Sequence, residues 1–397
     1  MKFAFVAEHL PPSTQWAGQT SVTRRLLEPL DPASYCLVSR VDYNAEPYAC
    51  APNRLPARYH HVAEPFARRA VESRADVLRG WTTSLANAAA AVWGTAAAVR
   101  REGCDAIVAS TDTVPDLPIG YAVSRTLGIP YYAYLFDDYL TKWHHYTRSM
   151  RVAAQGLEPA LMRGAAGVIV ANDHLRDELE RRYGVRATVI RNSVDLGPYE
   201  QVGESRPAFA GEEIRLIFTG AVYWAHYDAM RNLVAALASL TAVNARLHAY
   251  TPSSRQELIE EGLAGPVVVH SQQPAAAMPR LQREAHILFL PLAFERPSSD
   301  FVRTAAPAKM GEFLAARRPI LVHAPPDSFV SSYFREHECG LVVDEPDPAK
   351  LAAAIERLAT DADLRERLAD RAWERAQADY DLAGARATFR QVLGLGH

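Results

Sequence analysis

Short apolar runs alternate with amphipathic helical stretches along the whole chain, and the alternation starts afresh in the middle. The runs read as buried strands at 3–7, 35–39, 106–110, 131–135, 167–171 and 187–190, then at 214–219, 245–250, 266–270, 286–290, 319–322 and 340–343. Helical segments such as 174–183, 228–239, 276–284 and 349–359 lie between them. Alternation of this kind implies βαβ units and parallel sheets. Asn192-Ser193-Val194-Asp195 leads into a polar stretch, 196–212, that contains Gly and Pro and reads as a linker before the second series. The expected fold class is therefore α/β, with two doubly wound domains facing a cleft, at 1–196 and 197–375. A closing segment, 376–397, is expected to pack back on the first domain as a helix. Ligands of such domains sit beyond the carboxyl ends of the strands, and a cleft between two domains is a natural site.

Composition narrows the function classes. The 397 residues are 49% hydrophobic and 22% charged, enough for a core in each of two domains. A net charge of −3 argues against nucleic acid as the partner. No apolar run is long enough to span a bilayer; 84–99 comes nearest but is Ala-rich. The run Lys2–Ala7 ends at Glu8 and reads as a first strand, not a signal peptide, so a cytoplasmic protein is expected. Cys36, Cys50, Cys104 and Cys339 have neither zinc-site nor redox-pair spacing and read as buried free thiols. No metal is expected; His144 and His145 are adjacent and would point to different sides of a helix.

The most informative stretch runs from Pro307 to Val322. Pro307 suits a first helical position, with Thr304 upstream as a candidate N-cap. Lys309 and Glu312 share one helix face. Free N–H groups at a helix start attract an anion, and a carboxylate one turn deeper can hold hydroxyls. Phosphate plus diol outlines a nucleotide sugar. The plainer reading is a surface Lys–Glu pair.

Several segments, in order, resemble the two-domain GT-B glycosyltransferases with Rossmann-like domains, in the retaining family 4 group (glycosyl transferases group 1). They are Gly18 in the loop after the first strand, Ala165–Asn172 before a helix that ends at Tyr183-Gly184, and Val189–Asp195. Phe218-Thr219-Gly220, His286–Pro291, the Lys309–Glu312 helix and Gly340–Val343 follow. The resemblance implies that Glu312 holds the ribose hydroxyls of a nucleotide-diphosphate sugar. The family's other glutamate, which contacts the donor sugar, would fall at Thr304; that residue or the nearby Ser298-Ser299-Asp300 would take its part. The family's Arg and Lys after the first donor-domain strand are absent from Gly220–Asp228, so Lys309, Arg303 or His226 is left to face the diphosphate. His226 otherwise reads as an exposed loop histidine.

In the first domain the family's His is missing, and Asp112 or Asp137 at a strand end is a candidate for acceptor binding or general-base work. Gly18, Gln19 and Thr20 open the helix after the first strand, and Gly18 is a further candidate donor contact, to phosphate or sugar; a plain loop glycine is the other reading. The nucleobase is expected near Tyr250-Thr251-Pro252 and His270-Ser271-Gln272. The stretches 66–101, with Trp81 and Trp93, and Lys142–Arg148 mix basic and aromatic residues; they read either as a solvated face or as peripheral contact with an anionic membrane.

Together these features point to a hexosyl-type transferase that works with retention on a hydroxyl of a glycan, lipid-linked or small-molecule acceptor, with the nucleotide sugar as co-substrate and no cofactor. Rival readings are a nucleotide-sugar epimerase on the same fold and a non-catalytic nucleotide-sugar-binding subunit.

Overall fold

The computed structural model describes every residue except 14–16, 67–73, 144–147, 203–206, 208, 210–212, 296–297 and 396–397, and leaves out the side chains of 17, 74–82, 84, 298 and 299. Two compact units are present: Met1–Ile190 with Arg386–His397, and Arg191–Ala385.

In the first unit the strands are β1 (Phe3–Val6), β2 (Tyr35–Ser39), β3 (Arg58–His61), β4 (Ala106–Ser110), β5 (Tyr131–Leu135), β6 (Gly167–Val170) and β7 (Ala187–Val189). They form one parallel sheet in the order β3-β2-β1-β4-β5-β6-β7. Val6 of β1 lies opposite Val38 on one side and Ala109 on the other. The strands FAFV, YCLVS and AIVAS are buried at every position, as parallel strands are when helices cover both faces. Strand β3 escapes sequence reading because RYHH is a half-wet edge with no apolar run.

The first unit's helices are α1 (Ala17–Leu27), α2 (Arg74–Glu102), α3 (Asp116–Leu127), α4 (Arg148–Arg163) and α5 (Asp173–Tyr183). Helix α5 shows how locally these are written. The Asn172 side chain accepts the Leu175 N–H at 2.9 Å, and Gly184 ends the helix at φ 66°.

The second unit contains β8 (Ile214–Thr219), β9 (Ala245–Thr251), β10 (Val267–Ser271), β11 (Ile287–Pro291), β12 (Ile320–His323) and β13 (Leu341–Val343), in the order β10-β9-β8-β11-β12-β13. Its helices are α6 (Gly197–Gln201), α7 (Tyr227–Ser239), α8 (Arg255–Glu260), α9 (Met278–Arg283), α10 (Ser298–Val302), α11 (Lys309–Ala315), α12 (Phe329–Glu336), α13 (Pro348–Thr360) and α14 (Ala362–Asp379). Strand order reverses at β8–β11, as it does at β1–β4 in the first unit. In each sheet that reversal opens a crevice at the strands' carboxyl ends.

The terminal stretch is two helices, not one. It breaks after α14 at Tyr380-Asp381 and resumes as α15 (Leu382–Leu393). The break pairs with the Asn192–Asp195 element: the Val194 N–H donates to the Tyr380 carbonyl at 2.9 Å, and the Leu382 N–H to the Val194 carbonyl at 3.2 Å. From Arg386 the chain belongs to the first unit. There Phe389 lies edge-on to Phe3, centroids 6.2 Å apart, and Arg386 Nε donates to the Arg25 carbonyl. Cys36, Cys104 and Cys339 are buried, but Cys50 is exposed, contrary to expectation, because it sits in a surface loop without an apolar neighbour run. Among the described residues no helix is long and apolar enough to cross a membrane.

Candidate functional site

Strand β8 ends in Phe218-Thr219, and Gly220 follows it. Gly220 adopts φ +105°, which a side chain would strain, and its N–H donates to the Tyr250 carbonyl at 2.9 Å. Lys309, the first residue of α11, lays its ammonium 3.6 Å from the centroid of the Phe218 ring. A Cβ on Gly220 would come within 3.7 Å of that nitrogen. The chain thus brings Gly220 and Lys309 together at the mouth of β8. Lys309 keeps some accessible surface, yet its ammonium has no ion-pair partner among the described residues. Burial of that ammonium lowers its pKa to about 7, with Glu312 one turn away opposing the shift.

His226, just before α7, is buried and not the exposed loop residue expected from its polar surroundings, because its ring packs edge-on to Phe218 (5.5 Å) and Tyr223 (4.4 Å). Its Nδ1 is buried without a partner among the described residues. Burial first, and the nearby Lys309 second, push its pKa well below the usual histidine value, so the ring is neutral.

The approach to α11 differs from the sequence expectation. The helix begins at Lys309, with Ala308 at the N-cap position and no side-chain cap. Pro307 therefore precedes the helix, and its carbonyl accepts the Met310 N–H. Thr304 is not the cap but a buried residue after α10. The physical reason lies in tertiary contacts. Asn192 Nδ2 donates to the Ala306 carbonyl at 2.7 Å and holds 304–308 as a loop. Gly311 lets α11 approach closely, since a Cβ there would lie 2.8 Å from the Tyr380 ring and 3.1 Å from the Asn192 carbonyl.

Glu312 is held from behind. Its Oε2 accepts from Gln282 Nε2 at 3.3 Å, and Gln282 Oε1 in turn accepts from the Tyr199 hydroxyl at 2.8 Å. Gln282 is fully buried. Sequence reasoning missed both supporting residues, because nothing local marks a glutamine in α9 as the partner of a carboxylate in α11. It also missed Asp228. That carboxylate accepts the N–H groups of Phe294 and Glu295, each at 2.7 Å, and ties the loop after β11 to the start of α7.

Tyr250 stacks on His270 at 4.3 Å and 12°, so one face of its ring is covered. An open cavity of about 870 Å³ includes Arg246, Thr251, Pro252, His270 and Ser271 in its lining. Ser271 itself is exposed and accepts from Gln273 Nε2 at 3.4 Å. Arg303 is half-buried, and its carbonyl accepts the Phe329 N–H. Asp300 is exposed, while the side chains of Ser298 and Ser299 lie outside the described residues.

In the first unit, acidic groups gather at the ends of β1, β4 and β5. Asp112 Oδ2 accepts the His9 backbone N–H and lies 2.9 Å from His9 Nδ1, while its Oδ1 is buried without a partner among the described residues. Asp137 Oδ2 accepts from Gln19 Nε2 and from Lys142 Nζ, both at 3.0 Å. The Thr111 hydroxyl accepts the Phe136 N–H at 2.9 Å and steadies that strand end. Gly18 is the second residue of α1 and not a loop glycine; the loop stops short because the helix begins at Ala17. Arg40, unremarked in the sequence, reaches Glu8, the Thr113 hydroxyl (2.6 Å) and Asp116 (3.2 Å). Burial raises the Asp116 pKa to about 6. Asp138 is a structural residue, paired with Arg182 through both oxygens at 2.7 and 3.1 Å. His144 and His145 lie outside the described residues. Among the described residues no three His, Cys, Asp or Glu side chains converge as metal ligands.

Two family models divide the chain between them. "Glycosyltransferase Family 4" matches residues 45–197, and "Glycosyl transferases group 1" matches 213–361. The chain belongs to the group 1, family 4-like glycosyltransferases. Alpha-D-kanosaminyltransferase of Streptomyces kanamyceticus is 24% identical over 285 residues, which cover 67% of this chain and 70% of that protein. The crystal structure of Anabaena HepE in complex with UDP-glucose aligns over 99% of each chain, with TM-score 0.68 and 16% identity. Sucrose-phosphate synthase from Thermosynechococcus elongatus aligns over 100% of each, with TM-score 0.67 and 15% identity. The fold is GT-B, and the enzyme is a nucleotide-sugar glycosyltransferase.

Proposed function

We propose that this glycosyltransferase moves a hexosyl unit from a nucleoside-diphosphate sugar to an acceptor hydroxyl with retention of anomeric configuration. The observation that carries the reading is the Lys309 ammonium, held over Phe218 beside Gly220 with no ion-pair partner among the described residues. A desolvated cation of this kind favours an anion that brings negative charge to it, and it favours most the state in which that charge grows. The departing diphosphate is such a group.

Glu312, fixed through Gln282 and Tyr199, accepts hydrogen bonds from the ribose hydroxyls. His226, being neutral, serves the donor through its free Nδ1 and not through charge. Gly220 gives the donor close access to the backbone, while Thr304 and Arg303 border the sugar and phosphate positions. The strand ends at Tyr250 and Ser271 take the nucleobase. In the first unit Asp137, Asp112 and the start of α1 at Gly18 and Gln19 receive the acceptor.

In the transfer, the acceptor oxygen bonds to the anomeric carbon on the face from which the diphosphate leaves. The carbon–oxygen bond to phosphate breaks, and the acceptor proton passes to the leaving phosphate. UDP-sugars are the first donors to test, since the similar HepE structure holds UDP-glucose. Isothermal titration with UDP, GDP, ADP, TDP and CMP, repeated on Glu312→Ala, checks the donor site. One preferred nucleotide, lost in the variant, supports the assignment, and no binding by any of them sinks it. Turnover of the donor without an acceptor would instead indicate the epimerase.

A further inference from the structure

Helices α2, α3 and α4 lie side by side over one face of the first unit's sheet. Among their described side chains, every exposed charge is positive: Arg100, Arg101, Arg125, Arg148, Arg151 and Arg163. Their described carboxylates are turned away from solvent. Asp116 and Glu158 are buried, and Glu102 is held by Lys2 and His60. The bias is local, because the whole chain carries a net −3.

Helix α5, next in the same unit, shows what an ordinary solvated face looks like. Its Arg176, Arg181 and Arg182 each pair with a carboxylate on the same helix. None of the six arginines on α2–α4 has an ion-pair partner among the described residues.

Large apolar side chains stand among these cations. Trp93 is 74% exposed and Leu85 64%, two turns apart on one stripe of α2, and Arg100 continues that stripe two turns on. On α4, Val152 is 59% exposed and sits one turn from Arg148. Guanidiniums around exposed Trp and aliphatic groups match a lipid interface, where the apolar groups enter the acyl boundary and the cations meet phosphates. The phosphates of a duplex nucleic acid would engage the arginines and leave the aliphatic Leu85 and Val152 without a partner, whereas a lipid interface takes up both.

We propose that the α2–α4 face docks the protein peripherally on an anionic phospholipid surface. The inference does not depend on the donor-site assignment and would present the enzyme to acceptors held in that surface.

The test is sedimentation of the full chain with vesicles of phosphatidylcholine alone or with added phosphatidylglycerol. Binding only to the anionic vesicles, weakened by salt, is expected. The combined variant Arg100→Glu, Arg101→Glu, Arg148→Glu, Arg151→Glu should lower partitioning by roughly 600-fold or more, at about fivefold per arginine. Trp93→Ser should lower it several-fold, and nucleotide binding by both variants should be unchanged, which shows that they fold. No binding of the unaltered chain to anionic vesicles would overturn the proposal. So would vesicle binding that the arginine variant retains. Equal loss of heparin and vesicle binding in the arginine variant, with no effect of Trp93→Ser, would mark a general polyanion site and overturn it too.

Discussion

The strand ends of the two units solve opposite electrostatic problems. In the first unit the carboxylates arrive already paired: Asp112 with His9, Asp137 with Lys142 and Gln19, Glu8 and Asp116 with Arg40. In the second unit a cation waits. Lys309 rests on an aromatic face, and its environment costs it enough solvation to bring its pKa to about 7. A paired network holds its geometry whether or not a ligand is present. An under-solvated cation gains most when an anion arrives, and that places affinity and rate in the same residue.

The contrast is broken most directly at Arg40. Arg40→Met leaves Glu8 and Asp116 without their shared partner, and the loss should be about 3–5 kcal/mol of stability by urea unfolding. A change under about 1 kcal/mol would mean that the network is not structural. Lys309→Met should do the reverse. Stability should hold or rise, since a poorly solvated charge is removed, while kcat/KM falls by about 3 kcal/mol, or more than 100-fold. Steady-state rates with a nucleotide sugar, beside a melting curve of the same variant, decide this; equal losses in both would erase the distinction between the units.

Glu312→Gln keeps the shape but weakens the hydrogen bonds to the ribose, and nucleotide affinity should drop by about 2 kcal/mol in titration calorimetry. A variant that binds as tightly as the original would move the ribose elsewhere.

Acidity sharpens the contrast further. The free enzyme's Lys309 loses its proton as pH rises through about 7. A bound diphosphate restores the ordinary value, so binding above that pH takes up a proton. Affinity should then fall by up to about tenfold per pH unit, with proton uptake visible when calorimetry is repeated in buffers of different ionisation enthalpy. Stability of the free protein runs the other way. The unfolded chain holds more protons between about pH 7 and 10.5, so this group adds stability as pH rises across that window. Lys309→Met should abolish both effects. The smallest change is Gly220→Ala, expected to cost about 1–2 kcal/mol because φ +105° suits glycine alone; no loss of thermal stability would show that the turn relaxes.

The chain's own pattern of apolar runs was enough to place twelve strands, and it missed β3 because an edge strand with one wet face has no such run. Helix α5 was legible to its ends because its cap residues are local. The start of α11 was not. Pro307 and Thr304 carry the local signals for an earlier start, but Asn192, more than a hundred residues away, bonds the Ala306 carbonyl and keeps that stretch out of the helix.

The site divides along the same line. Sequence alone determined that Lys309 and Glu312 share a helix face near a strand end, because helical spacing and strand alternation are properties of neighbouring residues. Only the tertiary structure decided that Phe218 lies under Lys309, that Gln282 and Tyr199 stand behind Glu312, and that His226 is buried. Those relations join residues far apart in the chain, and solvation, which sets the charge state of each, exists only once the elements are packed.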